Sequence, residues 1–280
     1  QNVKTIPRIG VVLGGGGARG IAHVAVLEAL DEMGVSPAAI AGTSIGAIYG
    51  AARAGGLKGA ELRARTLESF ANRTAALAKL WTLRPKKLGD LLSGSVGLGQ
   101  ISPERILEIF VGDAFPATFA DCPIPLAVVA TDFWGGREAV LTSGPLRRAV
   151  AASIALPTLF KPVVIDGRVL MDGGVMNPIP VDALPVAVDL VVAVDVVSFP
   201  EPADGRVAPG AFEAVCGASQ LMQQQIAAYK FEARRPDLLI RPPVNGVRML
   251  DFLAAEKILA AAETTKEEVK RRLGRLLEAW

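Results

Sequence analysis

The sequence predicts an α/β fold, a three-layer sandwich in which a mainly parallel central sheet carries helices on both faces. Short apolar segments alternate with helical ones along the chain, and this alternation is typical of parallel sheets covered by helices. Glycine-rich turns directly follow two of the apolar segments. With 280 residues, of which 51% are hydrophobic, the chain is long and apolar enough to bury the core of such a sandwich.

The first half of the predicted sheet consists of two strand–turn–helix units. A strand at Ile9–Leu13 leads through a glycine turn into a helix at Gly20–Met33, and a strand at Ala38–Ala41 leads through a second turn into a helix at Ser44–Ala54. Both strands are short and rich in Val, Ile and Ala, as buried parallel strands are. Ligands of such sheets bind at the carboxyl ends of the strands, which is where both turns lie.

The second half of the chain continues the alternation. Ser102 followed by Pro103 predicts the start of a helix, with serine as the cap and proline in the first turn. Asp166-Gly167 predicts a hairpin turn. The remaining predicted elements are strands at Pro125–Thr131 and Leu190–Val197, a Pro/Gly-rich loop at 200–210, and helices at 211–233 and 251–278.

The two glycine turns together predict an active site. The second turn, Gly42–Gly46, has the G-x-S-x-G pattern of a nucleophile elbow, in which a serine is held on a tight strand-to-helix turn. The first turn, Gly14–Gly20, offers a row of backbone N–H groups from residues that lack a Cβ. A serine beside such donors suits attack on a carbonyl, because the tetrahedral intermediate carries an oxyanion.

The first turn also fits a different kind of site. Gly15, Gly17 and Gly20 match the dinucleotide-binding pattern G-x-G-x-x-G. That site needs an acidic residue about 20 positions further on, and the second strand ends without a carboxylate. No Gly-Lys-Ser/Thr follows Gly20, which argues against a P-loop. Either motif alone is as often structural as functional, but the pair at this order and spacing favours an active site.

A base for Ser44 has to come from further along the chain. The only histidine, His23, precedes Ser44, which excludes the Ser–Asp–His order of α/β-hydrolases, and its apolar neighbours indicate a packed structural role. Downstream stands Asp172, followed by two glycines that allow a sharp bend. A lone Asp-Gly-Gly is ordinarily a turn, so its role depends on the other motifs. Asp132, which follows a core strand, either shapes the pocket or caps a turn.

Taken together, these motifs resemble the patatin-like phospholipase family, of the bacterial single-domain kind. The matching motifs are Gly15–Gly20, Gly42–Gly46 and Asp172–Gly174, and the stretches 130–132, 149–162 and 175–180 are similar as well. The resemblance covers roughly residues 8–260. Residues 261–280 are then a C-terminal helix that packs on this domain or extends from it.

The resemblance implies a serine acyl-hydrolase that cleaves carboxylic ester bonds of lipids, including phospholipids. The residues that it implies are Ser44 as the nucleophile, Asp172 as the base, and the backbone N–H groups of Gly15, Gly16 and Gly17 as the oxyanion hole, with Arg19 bracing that loop. It implies no cofactor. The alternative is a low-turnover lipid-binding or regulatory protein that keeps the fold.

Composition limits the partners and the location. A net charge of +2 gives no general case for nucleic-acid binding. Cys122 and Cys216 have no redox spacing, and no His, Cys or carboxylate cluster has the spacing of metal ligands. No apolar run reaches the roughly 18–20 residues that span a bilayer. The predicted location is the cytoplasm, although a removed N-terminal signal stays an alternative because the chain starts at Gln1. A homodimer through the C-terminal helix is a separate possibility that the sequence leaves open.

Residues 57–100 differ from the rest of the chain in charge. They carry eight Lys and Arg against three acidic residues, with leucines between them and glycines at the end. A basic amphipathic segment with a mobile end suits the surface of an anionic membrane. The hypothesis is a lid that contacts the inner membrane peripherally. The alternative, slightly favoured, is a solvated helical face that covers the core.

Overall fold

A computed structural model describes residues 6–70, 101–157, 159–202 and 207–280 of the chain. Within these ranges the chain forms one eight-stranded sheet. Side chains alternate between the two faces along each strand, so that Val11 and Leu13 of the first strand belong to one buried cluster and Val12 to another. Helices cover both clusters. The predicted three-layer α/β sandwich is thereby confirmed.

The sheet has a parallel centre and an antiparallel edge. The strands are β1 (Ile9–Leu13), β2 (Ala39–Thr43), β3 (Leu126–Asp132), β4 (Arg137–Leu141), β5 (Val163–Ile165), β6 (Arg168–Asp172), β7 (Leu190–Val194) and β8 (Leu238–Ile240). Strands β3, β2, β1, β7 and β8 lie side by side and parallel. Strands β4 and β6 both pair antiparallel with β3, and β5 pairs with β6. The turn between β5 and β6 is the hairpin predicted at Asp166-Gly167, and both of its residues have positive φ.

The helices follow the predicted order. They are α1 (His23–Glu32), α2 (Ile45–Ala54), α3 (Gly59–Phe70), α4 (Pro103–Phe110), α5 (Leu146–Ser153), α6 (Ala211–Ala233) and α7 (Ala255–Ala279). The Ser102 hydroxyl caps α4 by accepting from the N–H of Arg105, with Pro103 in the first turn. The helix predicted at Gly20–Met33 instead begins as a 3₁₀ helix at Gly17–Ala22 and becomes α-helical at His23.

The larger core lies on the face of the sheet that α1, α2, α5 and α7 cover. Helix α7 packs along α1, with Ile258 and Leu259 in its first half and Val269 and Leu273 in its second half fully or almost fully buried. The predicted boundary at residue 260 falls within this continuous helix, whose packing continues on both sides of it. In the described ranges no helix is long and apolar enough to cross a bilayer.

The first part of the basic segment at 57–100 is a folded helix. In α3, Arg63 donates from Nε and Nη2 to the two carboxylate oxygens of Glu28, both at 2.7 Å. Arg65 pairs with Asp113 at 3.0 Å. Residues 59–70 therefore form a helix that packs on the core. Residues 71–100 lie outside the described residues, so the membrane-contacting lid at 57–100 stays a prediction, as does the alternative of a solvated helical face.

Glycine at position 46 allows α2 to start directly against β1. A Cβ added at Gly46 would lie 2.0 Å from the carbonyl oxygen of Leu13, a backbone atom that cannot move aside without shifting the strand. At Gly274, within the last two turns of α7, an added Cβ would meet nothing within 4 Å. The two positions therefore differ in whether a methyl group fits, although both are helical.

We expect Gly46→Ala to lower the free energy of unfolding by about 3 kcal/mol or more, because the extra methyl group overpacks the strand–helix junction. Gly274→Ala is the matched control and is expected to raise it by about 0.5–1 kcal/mol through helix propensity. Urea denaturation of both variants measures the difference. Equal stability of the two variants would contradict the close approach of α2 to β1.

Candidate active site

Ser44 lies at the sharp turn between β2 and α2. Its backbone has φ 55° and ψ −121°, a left-handed conformation that costs a non-glycine residue about 1–3 kcal/mol. Ser153 of α5 holds this turn in place, because its Oγ accepts from the N–H of Ser44 at 2.8 Å. Ser153 in turn donates to the carbonyl oxygen of Val129 at 2.6 Å. The predicted nucleophile elbow thus has the strained geometry that projects a serine side chain out of the turn.

Asp172, the second residue of the predicted dyad, lies at the end of a different strand from the one that precedes Ser44. It is the last residue of β6 and pairs with Ala130 of β3. The Ser44 hydroxyl donates to Oδ2 of Asp172 at 2.7 Å, and the N–H of Gly174 donates to Oδ1 at 2.7 Å. The carbonyl oxygen of Asp172 accepts from Thr131 at 2.9 Å. The structure therefore brings the two predicted dyad side chains, 128 positions apart in sequence, into hydrogen-bond contact.

Burial makes the Asp172 carboxylate a stronger base. The residue is only 5% exposed, and desolvation raises its pKa from the ordinary 3.8 to about 6, against the smaller lowering effect of the hydrogen bonds from Ser44 and Gly174. A higher pKa means that the carboxylate accepts a proton more readily. It is still ionised at neutral pH, which is the form that a general base requires.

The first glycine turn lies beside the serine. A Cβ placed on Gly15 would be 3.4 Å from Cβ of Ser44. The N–H of Gly15 donates to the carbonyl oxygen of Pro178 at 2.9 Å, so this predicted oxyanion donor is already engaged. The N–H groups of Gly16 and Gly17 make no hydrogen bond within the part of the chain that the structure describes. Both residues line the pocket described below.

Arg19 is buried next to this turn, with only 3% of its surface exposed. Its Nη1 donates to the carbonyl oxygen of Val247 at 3.3 Å. With the amide of Gln220 turned so that its oxygen faces the guanidinium, Gln220 accepts a hydrogen bond from it as well. Burial lowers the pKa of Arg19 to about 10, with Asp195 and Glu201 acting in the opposite direction, so the side chain stays charged. It links the turn to α6 and to the loop before α7.

Two further candidate residues have structural contacts. His23 is fully buried, and burial lowers its pKa to about 4. The neutral ring therefore donates from Nε2 to the carbonyl oxygen of Gly14 at 2.8 Å and supports the first turn, as a packed structural histidine would. Asp132 accepts from the N–H of Gly135 at 3.0 Å, so it caps the turn between β3 and β4.

The residues that hold the site in place were not predicted individually. Ser153 fixes the backbone of Ser44, and the carbonyl oxygen of Asn177 accepts from the Thr43 hydroxyl at 2.8 Å. The side-chain amide of Asn177 donates to Glu138 and to Asp182, and Lys230 of α6 binds both of these carboxylates. The only sequence signal was that Ser153 and Asn177 lie in the stretches 149–162 and 175–180.

The dyad opens into a pocket of about 610 Å³, within the usual size range of small-molecule sites. Ser44, Asp172 and the glycine turn contribute to its wall, and most of the remaining wall is aliphatic and aromatic. Within the described ranges, no group of three or more His, Cys, Asp or Glu side chains could hold a metal ion. Cys122 and Cys216 are free, partly buried thiols.

The sequence model of the patatin-like phospholipases matches residues 11–185 of the chain, a range that contains both glycine turns and Asp172. The chain belongs to the patatin-like phospholipase family. Members of this family are generally lipid acyl hydrolases. The resemblance drawn from the separated motifs is therefore confirmed.

Curated relatives of this patatin-like chain include bacterial and animal proteins. An uncharacterized NTE family protein of Mycobacterium tuberculosis is 37% identical over 190 residues, which cover 67% of this chain and 49% of the relative. The patatin-like phospholipase domain-containing protein 6 of Homo sapiens is 34% identical over 211 residues, covering 71% of this chain and 14% of the relative. The chain thus spans about half the length of the mycobacterial relative and a small part of the human one.

A solved structure supports the same fold. VipD from Legionella pneumophila aligns with a TM-score of 0.51 at 15% sequence identity, over 95% of this chain and 67% of VipD. At this low identity the likeness concerns the patatin-like fold alone.

We expect Asp172→Asn to be more stable than the wild type above pH 6. The folded-state pKa of Asp172 is raised, so protonation favours the folded state, and this stability is present below about pH 3.8 and lost as the pH rises through about 6. The shift of roughly two units corresponds to about 3 kcal/mol. Asparagine can accept from the Gly174 N–H with its oxygen and donate from its NH2 group to the Ser44 oxygen, which reverses the second hydrogen bond but removes the buried charge.

Urea denaturation at pH 4, 6 and 8 measures this effect. The stability advantage of Asp172→Asn should be largest at pH 8 and should shrink towards pH 4. Asp166→Asn, at an exposed turn, is the matched control and should follow the wild-type curve. If Asp172→Asn instead lowers the stability at pH 8, the ionised carboxylate does not destabilise the folded protein, and the prediction is wrong.

Proposed function

We propose that this chain is a serine acyl-hydrolase that cleaves carboxylic ester bonds of lipids, including phospholipids, through a Ser44–Asp172 dyad. The observation that carries the proposal is the 2.7 Å hydrogen bond from the Ser44 hydroxyl to the buried Asp172 carboxylate, at the wall of an apolar pocket. Family membership and the named phospholipase relatives support the same reaction class. In this mechanism a carboxylate alone activates Ser44.

The proton of Ser44 would pass directly to Asp172 as the hydroxyl oxygen attacks the ester carbonyl. The only histidine in the chain is His23, and its Nε2 is occupied by the Gly14 carbonyl. An ordinary carboxylate is a poor base for an alcohol. The raised pKa of Asp172, to about 6, reduces this mismatch, although a large gap to the pKa of a serine hydroxyl remains.

Stabilisation of the oxyanion would supply much of the remaining rate. The free N–H groups of Gly16 and Gly17 lie in the turn beside Ser44 and are proposed to donate to the tetrahedral oxyanion. Their neighbour Gly15 instead anchors the turn to Pro178. One such donor is typically worth about 10²–10³ in rate. The N-terminal end of α2, directly after Ser44, adds a partial positive charge near the same point.

Protonated Asp172 would then give its proton to the departing alcohol, which leaves the acyl group on the Ser44 oxygen. A water molecule, deprotonated by the same carboxylate, attacks the acyl-enzyme. The bond from the Ser44 oxygen to the acyl carbon breaks, the serine recovers its proton from Asp172, and a free carboxylic acid is released. One carboxylate thus serves both halves of the reaction, and no group outside the described site is needed.

We expect Ser44→Ala and Asp172→Asn each to lower kcat for hydrolysis of a phospholipid or monoacyl ester by at least about 10³-fold, because each variant removes one member of the dyad. Both variants should keep a folded circular-dichroism spectrum. Ser143→Ala and Asp166→Asn, at exposed positions, are the matched controls and should hydrolyse the ester at the wild-type rate. Full activity in either folded dyad variant would contradict the mechanism.

The pH dependence of the reaction should report the titration of Asp172. Because only the ionised carboxylate accepts a proton, kcat/KM should be constant above about pH 7 and fall about tenfold per pH unit below pH 6. Initial rates on a neutral ester between pH 4.5 and 8.5 give this profile. A profile that stays flat down to pH 4.5 would mean that a carboxylate of raised pKa is not the base.

A further inference from the structure

The pocket extends away from Ser44 along one face of α2. The α2 side chains that line it are Ile45, Ile48, Tyr49 and Ala52, at intervals that place them on successive turns of the same helical face. From Ser44 to Ala52 the helix rises by about 12 Å. The pocket therefore includes a channel that begins at the nucleophile and follows the helix axis.

Helix α3 and residues 110–114, which begin at the end of α4, form the other two walls of this channel. Ser69 donates to the carbonyl oxygen of Phe110 at 2.9 Å, and Arg65 pairs with Asp113 at 3.0 Å, so the two walls run in opposite directions. Tyr49 and Thr66 join α2 to α3 at 2.9 Å. These contacts place Phe110 near the Ser44 end of the channel and Ala114 near the far end.

The far end of the channel lies in the interior of the protein. Ala52 and Leu62 line it and are each only 3% exposed. Thr66 donates to the carbonyl oxygen of Leu62 at 2.7 Å, so the Tyr49 hydroxyl must donate to Thr66, and both hydroxyl protons are used. Arg65 also lines the pocket, but its guanidinium pairs with Asp113. The inner half of the channel thus offers mainly contact to hydrocarbon and no unpaired hydroxyl donor to a polar ligand.

We propose that this channel binds the acyl chain of the scissile ester and limits its length to about ten carbons. The inference rests on the proposed function, since the channel begins at the carbon that Ser44 would attack. An extended hydrocarbon chain advances roughly 1.3 Å per carbon for C–C bonds of about 1.5 Å, so 12 Å accommodates about nine carbons beyond the carbonyl. Longer chains would have to bend back or leave part of the chain outside.

The test is the acyl-length profile of kcat/KM on p-nitrophenyl esters from C4 to C16. For the wild type it should rise about three- to fourfold per added methylene, the value of burying a CH₂ group, and stop rising near C10. Ala114→Phe places a phenyl ring in the far end and should move the plateau to about C6. Ala52→Leu narrows the same end from the α2 side and should also shorten the plateau.

Ala120→Phe is the matched control, because Ala120 is exposed on the same segment and does not line the pocket; its profile should equal that of the wild type. A plateau that neither Ala114→Phe nor Ala52→Leu shortens, or a wild-type profile that keeps rising to C16, overturns the channel assignment and leaves the proposed function standing. Folded wild-type protein that hydrolyses no ester of any length overturns the proposed function and the channel assignment together.

Discussion

The hydrogen bond between the Ser44 hydroxyl and the buried carboxylate of Asp172 is the interaction on which the site depends. It requires three separate segments to meet at the carboxyl ends of the central parallel strands. The β2–α2 turn presents the serine in a left-handed conformation, β6 pairs with β3 so that it ends at Asp172, and Ser153 of α5 holds the backbone of Ser44. The parallel order of β1, β2 and β3 brings the glycine turn beside both side chains.

Burial of Asp172 links the chemistry to the stability of the fold. The desolvation that raises its pKa makes the carboxylate a better base, and it also makes the ionised form costly to keep in the folded protein. In a serine–carboxylate pair exposed to water, desolvation would not raise the pKa of the carboxylate. In the proposed mechanism the free N–H groups of Gly16 and Gly17 and the end of α2 then stabilise the negative charge that moves from the carboxylate to the ester oxygen.

Sequence patterns predicted the features that local chemistry determines. Glycine spacing predicted both turns, and apolar alternation predicted the layered sheet. The resemblance to the patatin-like family, which the separated motifs carry, put Ser44 and Asp172 in one site. Long-range contacts were not legible, because nothing near Ser153 in the sequence signals that it accepts from Ser44, and nothing near Gly15 signals that Pro178 occupies its N–H. The 3₁₀ start before α1 was also missed, since a backbone turn forced by tertiary contact leaves no periodicity.

An activated serine at position 44 should react with a fluorophosphonate ester, and intact-mass spectrometry after this incubation detects the product. We expect a single covalent adduct on the wild-type protein, mapped by peptide digestion to Ser44 and formed faster at pH 8 than at pH 5. No adduct on well-folded protein, or an adduct on a different serine, would contradict it.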